Sequence, residues 1–318
     1  MERRVFASEP HRHPRPFDLE CGSMQAPIRT AVIATAGFGT RFLPITKTVQ
    51  KEMLPILTRP TIDYVVADCI SAGIERIIFV VNEHNKQAIH FYSENKRLKE
   101  YLDRTGKSHL YSDVEKLHAQ AEFVFVQQPE AGQYGTAVPL MLAREQLAHD
   151  EAFLVFMGDD FVFNVDGTSE AKRMIETFRG SQAQGLVTCI TKPDAELFRY
   201  GVASIREQAG FTFLENLIEK PAAGTAPSNL VNISKYIFTH AIFDIIAQQH
   251  PDQKSGELYI TDSATTLARQ LPVVIHQPRG EYLDCGHVAG WLRANLHLAH
   301  QNPELWQAVK DTVAELEK

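Results

Sequence analysis

The sequence predicts an α/β protein with a mixed, mainly parallel sheet flanked by helices. Three observations carry this. A short apolar run, Thr30–Ala36, is followed by a helical pattern, Thr61–Ala72, and then by a second apolar run, Arg76–Val81. Strand, helix and strand in that order form a βαβ unit, which requires a parallel pair with a right-handed crossover. Between the first strand and the helix lie the 24 residues Gly37–Pro60, where such loops usually hold about 2–6. Long ordered loops at the carboxyl end of a parallel strand are where this architecture binds ligands.

The remaining elements follow in order. In the first helix Ile62, Val65, Val66, Cys69 and Ile70 recur at helical spacing, and Gly73 suits its C-terminal cap. Ala121–Val126 and Phe153–Met157 read as further buried strands, with a helix over 137–146 between them. Gly185–Thr191, Gly201–Ile205, Phe211–Ile218 and Leu230–Phe238 are strand-like and closely spaced, so the sheet is expected to become mixed. Thr261–Arg269 and Ala289–Ala299 read as helices. Asn302-Pro303 starts a terminal helix with Leu305, Val309, Val313 and Leu316 on one face. The expected organisation is therefore a tail over residues 1–27, with Met24 a candidate initiator, one domain over 28–300, and a C-terminal helix over 301–318. That helix is expected to pack on the domain or at a subunit interface.

Composition excludes several classes. The 318 residues carry 32 Lys+Arg against 39 Asp+Glu, a formal charge of −7 with no long basic run. A nucleic-acid polymer is thus a poor partner, and phosphate chemistry must rest on a few locally placed cations. No apolar stretch reaches the ~18–20 residues of a membrane span. Cys21, Cys69, Cys189 and Cys285 are scattered without CxxC spacing, which points away from zinc and disulfides and toward a cytoplasmic protein.

The long loop holds the chemistry. It reads Ala36-Gly37-Phe38-Gly39-Thr40-Arg41-Phe42-Leu43-Pro44, then Thr46-Lys47 and Lys51-Glu52-Met53-Leu54-Pro55. Gly37 and Gly39 let backbone N–H groups approach a phosphate, while Arg41 and Lys51 supply cations. Phe42 stands where a dinucleotide fingerprint needs its third glycine, and no Walker A string is present. The whole string closely resembles the signature of the sugar-1-phosphate nucleotidylyltransferases. The resemblance continues in order through Gln128, Gly158-Asp159, Tyr200-Gly201, Glu219-Lys220-Pro221, Pro227–Leu230, Gly256–Asp262 and Asp284-Cys285-Gly286.

That resemblance implies a Rossmann-like nucleotidyltransferase (glycosyltransferase-A-like) architecture. It also implies the reaction of UTP with glucose 1-phosphate to give UDP-glucose and pyrophosphate. The nucleophile would be a phosphate monoester, whose second pKa near ~6 leaves it ionised without a general base. Repulsion between two anions is then the obstacle, and charge neutralisation and positioning are the remedy. The resemblance assigns the nucleotide to Ala36, Gly37, Gly39, Thr40, Gln128 and Gly135, with Gln128 reading the pyrimidine edge. It assigns the sugar phosphate to Tyr200, Gly201, Glu219, Lys220 and Asn229, and catalysis to Arg41, Lys51, Asp159 and Lys220. Asp159 and Asp284 would hold Mg²⁺ through oxygens alone, as that ion prefers. Against this stand Asp284 as a helix cap and Asp160 as a solvated neighbour.

Glu257 and Asp262 read as structural, bracing the sugar loop or, for Asp262, supporting the first turn of the next helix. Two positions depart from the family pattern: Gln133 replaces a glycine, and Ser234 stands where relatives carry glycine before Lys235-Tyr236. They leave dTTP or another sugar phosphate open, and a non-catalytic regulatory relative is the other reading. Relatives are commonly dimers or tetramers, so a homo-oligomer is expected.

Overall fold

Alternation along single strands divides the core in two. The computed structural model describes residues 26–84, 86–219 and 221–318, so residues 1–25 of the expected tail, and Lys220, lie outside the described residues. In chain order the strands are β1 (Thr30–Thr35), β2 (Pro55–Ile56), β3 (Arg59–Pro60), β4 (Arg76–Asn82), β5 (Glu122–Gln128), β6 (Ala152–Met157) and β7 (Asp160–Phe163). There follow β8 (Gly185–Thr191), β9 (Gly201–Gln208), β10 (Phe211–Glu219), β11 (Leu230–Thr239), β12 (Val273–His276) and β13 (Glu281–Asp284). Ile33, Ile77 and Phe79 pack on one side with helices Thr61–Ser71, Glu170–Ser181 and Val288–His300. Their neighbours Val32, Ile78 and Val80 pack on the other with Val138–Leu142, Ala241–Gln248 and Ile260–Gln270. Period-two side chains thus feed two separate apolar layers, and the sheet is buried on both faces.

Nine strands form this sheet in the order β5-β4-β1-β6-β11-β8-β12-β10-β9. The first four are parallel. β11 runs antiparallel to both β6 and β8, and β12 lies parallel to β8. β10 is antiparallel to β12 and β9, and β9 curls back to meet β11 at Val202–Val231. Because Lys235 pairs with Phe156 and β11 runs the opposite way, its early residues project past the carboxyl end of β6. The two halves of the sheet therefore meet where Asp159 emerges.

Some elements differ from expectation. The helix expected over 137–146 is a short helix, Val138–Leu142, followed by a 3-10 turn at Glu145–Leu147. Helix Glu170–Ser181 was not expected, although Ala171, Met174, Ile175 and Phe178 carry its spacing and Ser169 caps it by accepting from Lys172 N at 3.0 Å. The terminal helix Pro303–Leu316 starts as expected, with Asn302 accepting from Glu304 N and Leu305 N. Yet Leu305, Val313 and Leu316 are exposed, and none of its residues is buried.

Two polar features fix the sheet's second half. At the bulge between Asn232 and Tyr236, Ser234 takes φ +56°, the left-handed region that glycine adopts freely. Asn232 secures it, accepting from Ser234 N at 3.1 Å and donating to Tyr236 Oη at 2.7 Å. Beneath β12, the buried carboxylate of Glu170 lies 2.8 Å from His276 Nε2 and 2.7 Å from Arg173. Burial alone would raise its pKa, but hydrogen bonding to His276 and Arg173 outweighs this and holds it well below the carboxylate range.

Two outcomes are expected. Ser234→Gly relieves the left-handed strain and should stabilise the fold by about 0.5–1 kcal/mol in denaturant unfolding; a loss of stability would contradict the strain argument. Glu170→Gln should cost about 3 kcal/mol at pH 7, because it strips a buried pair of one partner. Glu170's depressed pKa makes this contribution complete above its unfolded value of 4.5 and lost as pH falls through the folded value. The deficit should therefore narrow below pH 4.5, and a pH-independent gap would rule out the linkage.

Candidate active site

The loop after β1 folds as three 3-10 turns, Thr40–Phe42, Ile45–Lys47 and Lys51–Met53. Buried Phe42, Leu54 and Ile56 anchor it, and Trp291 Nε1 donates to Pro55 O at 2.9 Å. Gly39 takes φ +64°, and Thr46 Oγ1 donates to its carbonyl at 2.8 Å. The loop thereby faces a cleft of about 520 Å³ at the carboxyl ends of β1, β5 and β6. Ala36, Gly37, Gly39, Thr40, Arg41, Lys51, Gln128, Gly135 and Asp159 all line this cleft. Arg41 is exposed at its rim.

The far wall depends on one close approach. Gly135 has φ +127°, and a Cβ there would stand 2.4 Å from the backbone N and O of Leu258. Leu258 N donates to Tyr134 O at 2.8 Å and Ala137 N to Leu258 O at 2.9 Å. The Gly256–Asp262 block braces the loop after β5; Glu257, read as structural, also lines the cleft, and Asp262 sits in the first turn of helix Ile260–Gln270. Gln133 does not carry the positive φ; Gly132, one residue earlier, takes φ +124° instead. Gln128 is buried, and its Oε1 has no hydrogen-bond partner among the described residues.

The charged centre lies between β6 and β7. Lys51 Nζ sits 2.6 Å from Asp159 Oδ2 and 3.6 Å from Glu52 Oε1. Burial would lower the Lys51 pKa, but Asp159 and Glu52 hold it raised. Burial likewise pushes against Asp159, yet Lys51 keeps its pKa lowered. Glu52 is pushed up to about 7 by burial, against the pull of Lys51. Asp160 is no solvated neighbour: it is buried, paired with Lys235, and accepts from Tyr282 Oη at 3.0 Å. β13 pairs with β7 so that Asp284 faces Asp160, and Cys285 N donates to Asp159 O at 3.0 Å. This register carries Asp284 beside Asp159. A Cβ on Gly286 would lie 2.9 Å from Asp159 Oδ2 and 3.1 Å from Asp284 Oδ1, so the two oxygens are at most about 6 Å apart. Asp284 does not cap the next helix, because His287 does, accepting from Gly290 N at 3.0 Å.

The expected sugar residues form a second group. Gly201 at the start of β9 pairs with Glu219 at the end of β10, and Val202 pairs with Val231 just after Asn229. Asn229 O accepts from Lys192 N at 2.9 Å, and Lys192 lies over the Tyr200 ring at 5.8 Å. Tyr200 N donates to Leu197 O at 3.1 Å, which fixes the turn into β9.

Sequence reasoning gave no role of their own to five residues in or beside the cleft. Glu52 was read only as part of a string. Phe38 and Tyr134 project from opposite loops over the cleft mouth, with ring centroids 6.1 Å apart. Gly158 and Gly286 provide space: a Cβ on Gly158 would approach Thr35 Cγ2 to 2.9 Å and Glu52 Cγ to 3.0 Å. Glu52, Gly158 and Gly286 stand within the blocks that carry the resemblance and Phe38 within the glycine loop, whereas Tyr134 had no signal in the sequence.

A glycine-lined anion loop facing paired carboxylates at the carboxyl edge of a doubly covered sheet is the arrangement of an enzyme that handles nucleoside polyphosphates. The chain belongs to the nucleotidyl transferase family, whose sequence model matches residues 30–301. It is 32% identical over 291 residues to a UTP–glucose-1-phosphate uridylyltransferase of Staphylococcus epidermidis, covering 91% of this chain and 99% of that one. Its identity to the Bacillus subtilis protein of the same name is 33% over 279 residues, covering 87% and 93%. Among solved structures it is similar to a UDP-glucose pyrophosphorylase complexed with UDP-glucose, with TM-score 0.76, 30% identity and coverage of 87% and 100%. It is also similar to a UTP-bound UGPase from Acinetobacter baumannii, with TM-score 0.80, 28% identity and coverage of 91% and 100%.

Gly135→Ala should force the two wall segments apart, since the contact is with backbone and no rotamer relieves it. UTP affinity measured by calorimetry is expected to fall at least ~10-fold, the scale of a 1.4 kcal/mol loss. Unchanged affinity would show that the wall does not depend on this approach.

Proposed function

We propose that the chain makes UDP-glucose and pyrophosphate from UTP and glucose 1-phosphate, by attack of the sugar phosphate on the α-phosphate of UTP. The observation that carries this reading is the shared cleft of the phosphate loop, Lys51 and Asp159, with Asp284 held alongside. The loop from Ala36 to Thr40 binds phosphate oxygens through its backbone, and Arg41 and Lys51 neutralise the polyphosphate. Gln128 meets the uracil edge with an acceptor that finds no partner among the described residues. Tyr200, Gly201, Glu219, Lys220 and Asn229 receive the sugar phosphate: the carboxylate reads hydroxyls and the ammonium neutralises the monoester.

The residues present fit Mg²⁺. A cationic nitrogen already rests on Asp159, and the bare Cα of Gly286 leaves both carboxylates room. Two carboxylates with phosphate oxygens form the oxygen-only set this ion takes. Asp159 and Asp284 would hold it, and Asp160, committed to Lys235 and Tyr282, would not. When bound, Mg²⁺ supplies positive charge where the two phosphates meet. The sugar phosphate arrives ionised, so the protein's own work is orientation and charge balance.

No helix of the described residues is long and apolar enough to cross a membrane. A cytoplasmic setting fits the thiols Cys69, Cys189 and Cys285, all buried and free. A homo-oligomer, dimer or tetramer, is supported by the apolar stripe Leu305, Val313 and Leu316, which a single chain leaves exposed.

Pyrophosphate release should be measured with UTP, dTTP, CTP and ATP crossed against several sugar 1-phosphates. UTP with glucose 1-phosphate is expected to lead; release with no pair would favour a regulatory relative, and a lead for dTTP would move the base assignment. Asp159→Asn should lower turnover by ~10²–10⁴-fold, as the loss of one electrostatic stabiliser does. Near-normal turnover in that variant would remove Asp159 from the metal site.

A further inference from the structure

Lys51 holds two positions at once. Its Nζ lies 2.6 Å from Asp159 Oδ2, and it borders the phosphate loop so closely that a Cβ on Gly37 would stand 3.5 Å from that nitrogen. Glu52 Oε1, 3.6 Å away on the buried side, keeps the ammonium at this junction. Asp284 Oδ1 shares the space in front of Gly286 with Asp159 Oδ2. One carboxylate of the pair read above as the metal site, Asp159, is therefore covered by a cation of the protein's own.

Two positive charges cannot both sit within bonding distance of one carboxylate oxygen without strong repulsion, least of all in a partly buried site. An incoming polyphosphate offers the ammonium another anion next to where it already lies. Swinging toward the loop, Lys51 exchanges one carboxylate for phosphate oxygens and uncovers Asp159 in the same movement. Glu52 stays in reach and limits how far the side chain strays.

We infer that Lys51 is a placeholder cation: it keeps Asp159 closed to divalent ions until a polyphosphate draws it away, so that metal enters with nucleotide and not before. This rests on Asp159 as a metal ligand, and separate arms of the experiment distinguish failure of that reading from failure of the inference alone. The probe is Mn²⁺ alone, followed by electron paramagnetic resonance with the nucleotide-free protein. Wild type is expected to bind Mn²⁺ weakly, and Lys51→Met and Lys51→Gln at least ~10-fold more tightly, with the gain abolished when Asp159→Asn is added.

Removing Lys51 leaves a buried carboxylate unpaired and destabilises the fold, so thermal melts form a second measurement. Mn²⁺ should raise the melting temperature of both Lys51 variants and leave that of wild type nearly unchanged. Equal Mn²⁺ affinity, or an equal thermal response, across wild type and both variants overturns the inference. In a separate arm with UTP present, loss of bound Mn²⁺ in Asp159→Asn supports the ligand reading, and its retention overturns that reading together with the inference.

Discussion

Two aspartates adjacent in sequence, Asp159 and Asp160, leave β6 together and meet different lysines. Asp160 turns inward to Lys235 and Tyr282, which pin the turn to β11 and β13. Asp159 turns outward to Lys51 on the phosphate loop. Three segments far apart in the chain thus converge on one two-residue turn. The inner pair supports the outer: with Asp160 locked in register against Asp284, the second carboxylate can stand only beside Asp159. A buried charge pair is a poor source of stability, yet it specifies position strictly, because any other arrangement strands a charge.

Most of the first half of the fold was legible, because its signals are local. The β1–helix–β4 unit needs only apolar runs, a helical stripe and Gly73, all within residues 30–82. The phosphate loop was legible from its glycines, its cations and its length. The second half was harder. Strands β7, β12 and β13 hold four residues each and derive their identity from partners over 80 residues away, or parallel to β8. Nothing within Glu281–Asp284 announces a strand.

The site was legible as residues and not as geometry. Sequence placed Asp159 at a strand's end, but only the pairing of β7 with β13 brings Asp284 beside it. The burial of Asp160 and the contact of the Gly256–Asp262 block with the loop after β5 were not legible for the same reason: each is fixed by contacts from distant segments, to Lys235 in one case and to Tyr134 in the other. The departures at Gln133 and Ser234 each have a backbone counterpart in the fold. Gly132 absorbs the first, and Asn232 secures the second.

β11 gives this architecture a particular sensitivity. It is the seam between the parallel half, which carries the phosphate loop, and the half that carries Tyr200, Glu219 and Asn229. Its bulge at Ser234 counts residues between two fixed marks, Lys235 against Asp160 and Val231 against Val202. Adding or removing one residue there would invert every side chain beyond it and shift one half of the sheet against the other by a strand's rise, about 3.3 Å. Over evolutionary time this strand should therefore keep its length while the helices at Lys96–Arg104 and His109–His118, outside the sheet, grow and shrink freely. The chain carries its ruler inside the sheet, and the spacing between the loop after β1 and the group of Tyr200, Glu219 and Asn229 is read from it.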